Sequence, residues 1–149
     1  MLSITKIFHF EMAHAIYRYA GACKNIHGHS YELQVTVSGV CDENALIPAP
    51  GFVADFKDIK KWVHAAVIEK FDHSLLLSAD FIAANPTLSS LKNLVIFEAE
   101  PTAENLLIYI KRVLIQILPD NLKLMHLKLF ETKDSYAAWT EKHFNTTGA

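Results

Sequence analysis

The chain has 149 residues, of which 51% are apolar and 20% charged, with a formal net charge of −2. That length suits one domain over residues 1–149 with a sizeable core. The charge leaves no basic footprint for nucleic acid, and two cysteines are too few for a disulfide framework. No apolar run reaches the length of a membrane span, and residues 1–6 lack the charged and apolar segments of a signal peptide. A soluble, cytoplasmic protein with no nucleic-acid or membrane partner is expected.

Residues 3–14 read as a strand, with Phe8, Phe10, Met12 and His14 sharing one face by period two. Residues 27–40 read as a second strand. His27, His29, Tyr31, Leu33, Val35 and Val37 fall on one face, and Ser30, Glu32, Gln34, Thr36 and Ser38 on the other. Pairing the two strands would bring His14 to His27 and His29 at one end of an apolar sheet face. A loop with Pro48, Pro50 and Gly51 leads to a helix over residues 55–70. Asp55 is its expected N-cap, and Phe56, Ile59, Val63, Ala66 and Val67 form its stripe. Residues 74–100 carry little periodicity, apart from a turn at Asn85-Pro86 and a short strand at residues 94–97. Thr102 is the expected N-cap of a second helix ending at Pro119, with Leu106, Ile110, Val113, Leu114 and Ile117 buried. Residues 122–133 and 136–140 complete the strands, with Met125, Leu127, Leu129 and Glu131 sharing one face. The polar tail from Glu141 is expected to fray. The fold class is α+β, in the order β-β-α-α-β-β: a four-stranded antiparallel sheet with two helices on one face.

The chemistry gathers around Cys23-Lys24-Asn25-Ile26-His27-Gly28-His29. Three imidazoles on matching strand faces suit a metal, zinc first, with an open fourth position. Cys23, four residues before His27, reads equally well as a base, a nucleophile or a fourth ligand. Asp72-His73 reads as helix-end punctuation, with a carboxylate-oriented proton relay as the functional alternative. Glu131 is the odd carboxylate on an apolar face, able to accept from paired N–H donors or simply to end the strand in solvent. Glu104 complements a helix dipole. Cys41, His9, His64, His126 and His143 read as structural or surface residues.

Six segments together resemble the 6-pyruvoyltetrahydropterin and 6-carboxytetrahydropterin synthase family over nearly the whole chain. They are Phe10-Glu11-Met12-Ala13-His14, Cys23 through Tyr31, Gly51-Phe52-Val53-Ala54-Asp55-Phe56, Phe71-Asp72-His73, Pro101-Thr102-Ala103-Glu104-Asn105 and Phe130-Glu131-Thr132. The resemblance implies Zn2+ on His14, His27 and His29, and Cys23 as the catalytic proton acceptor. It implies Asp72 and His73 as a relay pair, Glu131 as the pterin anchor, and Thr102 and Glu104 near the pterin. It further implies the tunnelling fold (T-fold), in which sheets join between subunits of a homohexamer built as a dimer of trimers, with active sites at the interfaces. The short spacing from Cys23 to His27 resembles the 6-carboxytetrahydropterin synthases of queuosine biosynthesis. The implied reaction converts 7,8-dihydroneopterin triphosphate to 6-carboxytetrahydropterin, acetaldehyde and triphosphate. The alternatives are triphosphate elimination to 6-pyruvoyltetrahydropterin, a non-catalytic zinc-stabilised pterin-binding module, and a zinc hydrolase. Two departures from the family pattern stand out: Leu77, where asparagine is frequent, and a longer segment over residues 78–100.

Overall fold

The computed structural model describes residues 2–42 and 44–142, so His143 and all but the first two residues of the polar tail lie outside the described residues. Strand β1 (Ser3–His14) turns Phe8, Phe10, Met12 and His14 inward, as alternation requires. Strand β2 (His27–Gly39) turns Tyr31, Leu33, Val35 and Val37 to the same side. The two pair antiparallel with Phe10 opposite Tyr31, Met12 opposite His29 and His14 opposite His27. A one-residue slip would move every one of these side chains to the other face, so the apolar pattern locks the register of the histidines.

Asp55 caps the first helix by accepting the Lys57 N–H at 2.8 Å. Helix α1 (Phe56–Val63) passes through a π turn (His64–Ile68) into α2 (Glu69–Phe71). The wider turn rotates the stripe. Ile59, Val63 and Val67 are joined inside by Ile68 and Phe71, while Phe56, expected on the stripe, is 48% exposed. Helices α3 (Ala79–Ala84) and α4 (Ala103–Ile117) follow, and Thr102 caps α4 by accepting the Asn105 N–H at 3.3 Å. The buried face of α4 is Leu106, Leu107, Ile110 and Leu114; Ile117, expected there, is exposed in the last turn.

The sheet corrects the expectation of four antiparallel strands. Six strands run in the order β4-β3-β1-β2-β5-β6, mixing parallel and antiparallel pairs. Strand β3 (Ser74–Ser78) lies parallel to β1, and β4 (Leu94–Phe97) parallel to β3. On the other side β5 (Leu122–Thr132) and β6 (Ser135–Thr140) run antiparallel. Met125 is an extra residue between the pairs Val37–Leu124 and Thr36–His126, so Leu124 and Leu127 both face the core despite their odd spacing. The main core lies between one sheet face and helices α1, α2 and α4.

Strand β3 is buried on both faces. Leu76 joins the main core, whereas Leu75 and Leu77 join Ala15 in a second cluster with Ala13, Phe81, Ile82, Leu88 and Leu94 packed against it. The part of the 78–100 segment before β4 therefore roofs the reverse face of the sheet, through Phe81, Ile82 and Leu88, and Leu77 is fully buried beneath it. Leu77→Asn is expected to lower unfolding stability by about 3 kcal/mol, by removing buried methyl groups and burying an amide in an apolar site. Urea titration measures this; parental stability would show that Leu77 does not pack as described.

Candidate metal centre and cleft

Pairing of β1 with β2 places His14 directly opposite His27, with His29 two residues along the same face. One ring nitrogen from each of the three lies within 4.8 Å of the others. Cys23 is not part of that group. The His14 Nδ1–H donates to the Pro101 carbonyl at 2.7 Å, and the His27 Nδ1–H donates to the Asn25 carbonyl at 2.7 Å. A carbonyl only accepts, so these bonds assign the proton of each neutral ring to Nδ1. The two Nε2 atoms then face each other at 3.1 Å with lone pairs and no proton between them. Two acceptors at that distance repel unless a cation sits between them.

Burial lowers the pKa values of His14 and His29, His14 being only 2% exposed. Both rings are therefore neutral near pH 7, as a metal ligand must be. His29 Nε2 is buried without a hydrogen bond; the nearest carboxylate oxygen, Glu131 Oε1, lies 3.6 Å away. An orphaned imidazole nitrogen beside two opposed lone pairs fits a bound divalent cation. The carbonyls that orient His14 and His27 are the outer partners such a site needs.

The cleft beside the histidines has a volume of about 410 Å³ and is lined by His14, Cys23, Thr102, Glu104, Glu131 and Tyr136, among others. Glu131 reaches it from the end of β5, on the face that Leu127 and Leu129 share, so the regular alternation carries its side chain there. Phe130 pairs with Tyr136 and Thr132 with Ser135, leaving Glu131 unpaired in the β5–β6 ladder. Behind the cleft, Tyr31 stacks on Phe10 at 5.1 Å, and burial pushes its phenol pKa up, with Glu131 adding to the shift.

Asp72 and His73 stand elsewhere. The Glu11 N–H donates to Asp72 Oδ1 at 2.9 Å, and the His73 N–H donates to the Glu11 carbonyl at 2.6 Å. The Asp72 carboxyl is held below the usual carboxylate range, chiefly by that Glu11 N–H and then by His73. His73 Nδ1 lies 3.0 Å from Asp72 Oδ1, the His73 backbone is left-handed (φ 60°), and its ring is exposed. His73 lines a second cavity of about 370 Å³ with Glu11, Ser30 and Asn93, which His29 borders as well, whereas Cys23 and Glu131 do not. Within one chain, then, His14, His27, His29, Cys23, Thr102, Glu104 and Glu131 come together, and Asp72 and His73 do not join them.

Residue types alone did not point to the Pro101 and Asn25 carbonyls, since a backbone acceptor has no signature in the sequence. The break in strand pairing at Glu131 was equally silent.

The family model described as 6-pyruvoyl tetrahydropterin synthase matches residues 3–142. A 6-carboxy-5,6,7,8-tetrahydropterin synthase of Haemophilus influenzae is 38% identical over 76 residues, a match spanning 51% of this chain and 52% of that one. One from Rickettsia bellii is 29% identical over 140 residues, covering 91% of this chain and 98% of its own. A 6-pyruvoyl tetrahydrobiopterin synthase of Pongo abelii is 30% identical over 122 residues, covering 80% and 70%. Among solved structures, the Caenorhabditis elegans 6-pyruvoyl tetrahydropterin synthase superposes with a TM-score of 0.69 at 20% identity, covering 95% of this chain and 96% of that one.

Proposed function

The chain belongs to the 6-pyruvoyl tetrahydropterin synthase family, and on that premise we propose that it is a zinc-dependent 6-carboxy-5,6,7,8-tetrahydropterin synthase acting on 7,8-dihydroneopterin triphosphate. Its place would be queuosine biosynthesis in the cytoplasm, with residues 1–149 acting as one catalytic domain. The observation that carries the reading is a cluster of three metal-ready imidazoles, one of which, His14, lines a cleft together with a free thiol and the Glu131 carboxylate.

Each residue has a task set by its position. His14, His27 and His29 would hold Zn2+, with ring orientation set for two of them by Pro101 and Asn25. The bound cation supplies Lewis acidity toward side-chain oxygens of the substrate. The Glu131 carboxylate accepts the paired N–H donors of the pterin edge, a bidentate match that fixes the ring. Thr102 and Glu104, at the start of α4, line the same cleft and bound the pterin on that side. The Cys23 thiolate takes a proton from the substrate side chain. His73, oriented by Asp72, returns a proton to the reacting carbon chain. Within one chain His73 lines a different cavity from Cys23. The relay role therefore assigns it to a neighbouring copy in a homo-oligomer, a hexamer built as a dimer of trimers, with active sites between subunits.

A second reading, elimination of triphosphate to 6-pyruvoyltetrahydropterin, is favoured by the likeness to the Pongo abelii protein over 80% of this chain. Mass spectrometry of products from zinc-loaded protein and dihydroneopterin triphosphate separates the two. Carboxytetrahydropterin with acetaldehyde is the expected result. Pyruvoyltetrahydropterin alone would move the assignment to the second activity, and unchanged substrate would overturn both.

A further inference from the structure

The loop between β1 and β2 carries Cys23, and its anchorage lies far along the chain. Its base is closed by the Ile16 N–H donating to the Cys23 carbonyl at 2.8 Å. Ala15 packs against Leu75 and Leu77, and two further long-range contacts run through Tyr17. The Tyr17 N–H donates to Glu100 Oε2 at 2.8 Å, across 83 residues. The Tyr17 ring meets Phe81 edge-on, with centroids 6.3 Å apart. Phe81 lies in the roof over the reverse face of the sheet, and Glu100 lies at the far end of the same segment, after β4. The next residue, Arg18, takes a left-handed backbone (φ 56°), which a non-glycine residue keeps only when its neighbours are held.

Glu100 is itself fixed. Its carbonyl accepts the Thr102 N–H at 2.8 Å and the Asn105 side-chain N–H at 3.0 Å. Its neighbour Pro101 holds His14. Residues 100–102 thus grip a candidate metal ligand with a carbonyl and the Cys23 loop with a carboxylate. We propose that the segment over residues 79–100 is a positioning element for Cys23, acting on Tyr17 through the Glu100 carboxylate and the Phe81 ring. The proposal rests on the assignment of Cys23 as the base. It gives the longer segment and the buried Leu77 a joint purpose: they build the platform from which the thiol is aimed. Glu100 is a positioning residue, since it touches the loop and not the cleft.

The test compares Glu100→Ala, Glu100→Gln and Phe81→Ala in the zinc-loaded full chain. Iodoacetamide labelling of Cys23 is followed by peptide mass spectrometry, with Cys41 as the internal reference. Metal content, kcat and KM are measured alongside. Glu100→Ala is expected to keep its zinc, raise Cys23 labelling about fivefold with Cys41 unmoved, and lower kcat about tenfold with KM little changed, as misplacement of a reacting group does. Glu100→Gln keeps an oxygen acceptor for the Tyr17 N–H and should stay near the parent. Phe81→Ala should raise labelling by a smaller factor and covers the case in which Glu100→Ala does not fold. Parental Cys23 labelling in folded Glu100→Ala, or a Gln variant as impaired as Ala, would overturn the proposal. If the parent protein does not turn over the pterin while the labelling contrast holds, the functional reading fails and the positioning stands.

Discussion

His14→Ala is expected to yield a folded protein that holds no stoichiometric zinc and turns over dihydroneopterin triphosphate about a thousandfold more slowly than the parent. The factor corresponds to the loss of a Lewis acid worth about 4 kcal/mol in the transition state. His14 is the most buried of the three histidines, faces His27 at 3.1 Å, and is the one tied to the helix layer through Pro101. Removing it leaves two ligands and a cavity at the end of β1. Metal analysis after gel filtration reads the first effect and steady-state kinetics the second. His14→Gln tests the same point with less loss of volume. Full zinc occupancy in both variants would overturn the three-histidine assignment. Zinc loss without loss of turnover would overturn the metal's catalytic role while leaving the site in place.

Cys23→Ala separates chemistry from metal binding. Cys23 lines the cleft with His14 but lies outside the cluster of ligand nitrogens. The variant is expected to keep zinc at the parental level and to lose about three orders of magnitude in kcat, within the range for removing a general base. Substrate binding should change little, because the Glu131 carboxylate that would hold the pterin is untouched. Zinc loss on this substitution would make Cys23 a fourth ligand and the site a closed structural one. X-ray absorption at the metal edge gives an independent reading: sulfur at about 2.3 Å in the parent would support the same conclusion.

The two predictions depend on different parts of the fold. The metal ligands sit on β1 and β2, the longest strands, at register positions set by the apolar face beneath them. Cys23 sits on a loop whose position comes from elsewhere in the chain. Misplacing the loop should therefore cost turnover before it costs metal.

Strands β1 and β2, the caps Asp55 and Thr102 and the convergence of His14, His27 and His29 were legible in the sequence because they follow from local rules. Period-two alternation aligns one face, and a cap needs one side chain beside one backbone N–H. Strand β3 was not legible for the opposite reason. Leu75, Leu76 and Leu77 are buried on both faces, so they form an unbroken apolar run with no period to read. The π turn at residues 64–68 and the unpaired residue at Met125 likewise shift side chains by one position relative to any regular repeat. Periodicity placed Glu131 on the face of Leu127 and Leu129, and the family pattern gave it the role of pterin anchor. Local patterning thus determined which side chains are carried on which face of the long strands. Tertiary structure alone decided that the Pro101 carbonyl orients His14 and that Glu100 and Phe81 anchor the Cys23 loop, because those contacts join residues dozens of positions apart and leave no periodic trace.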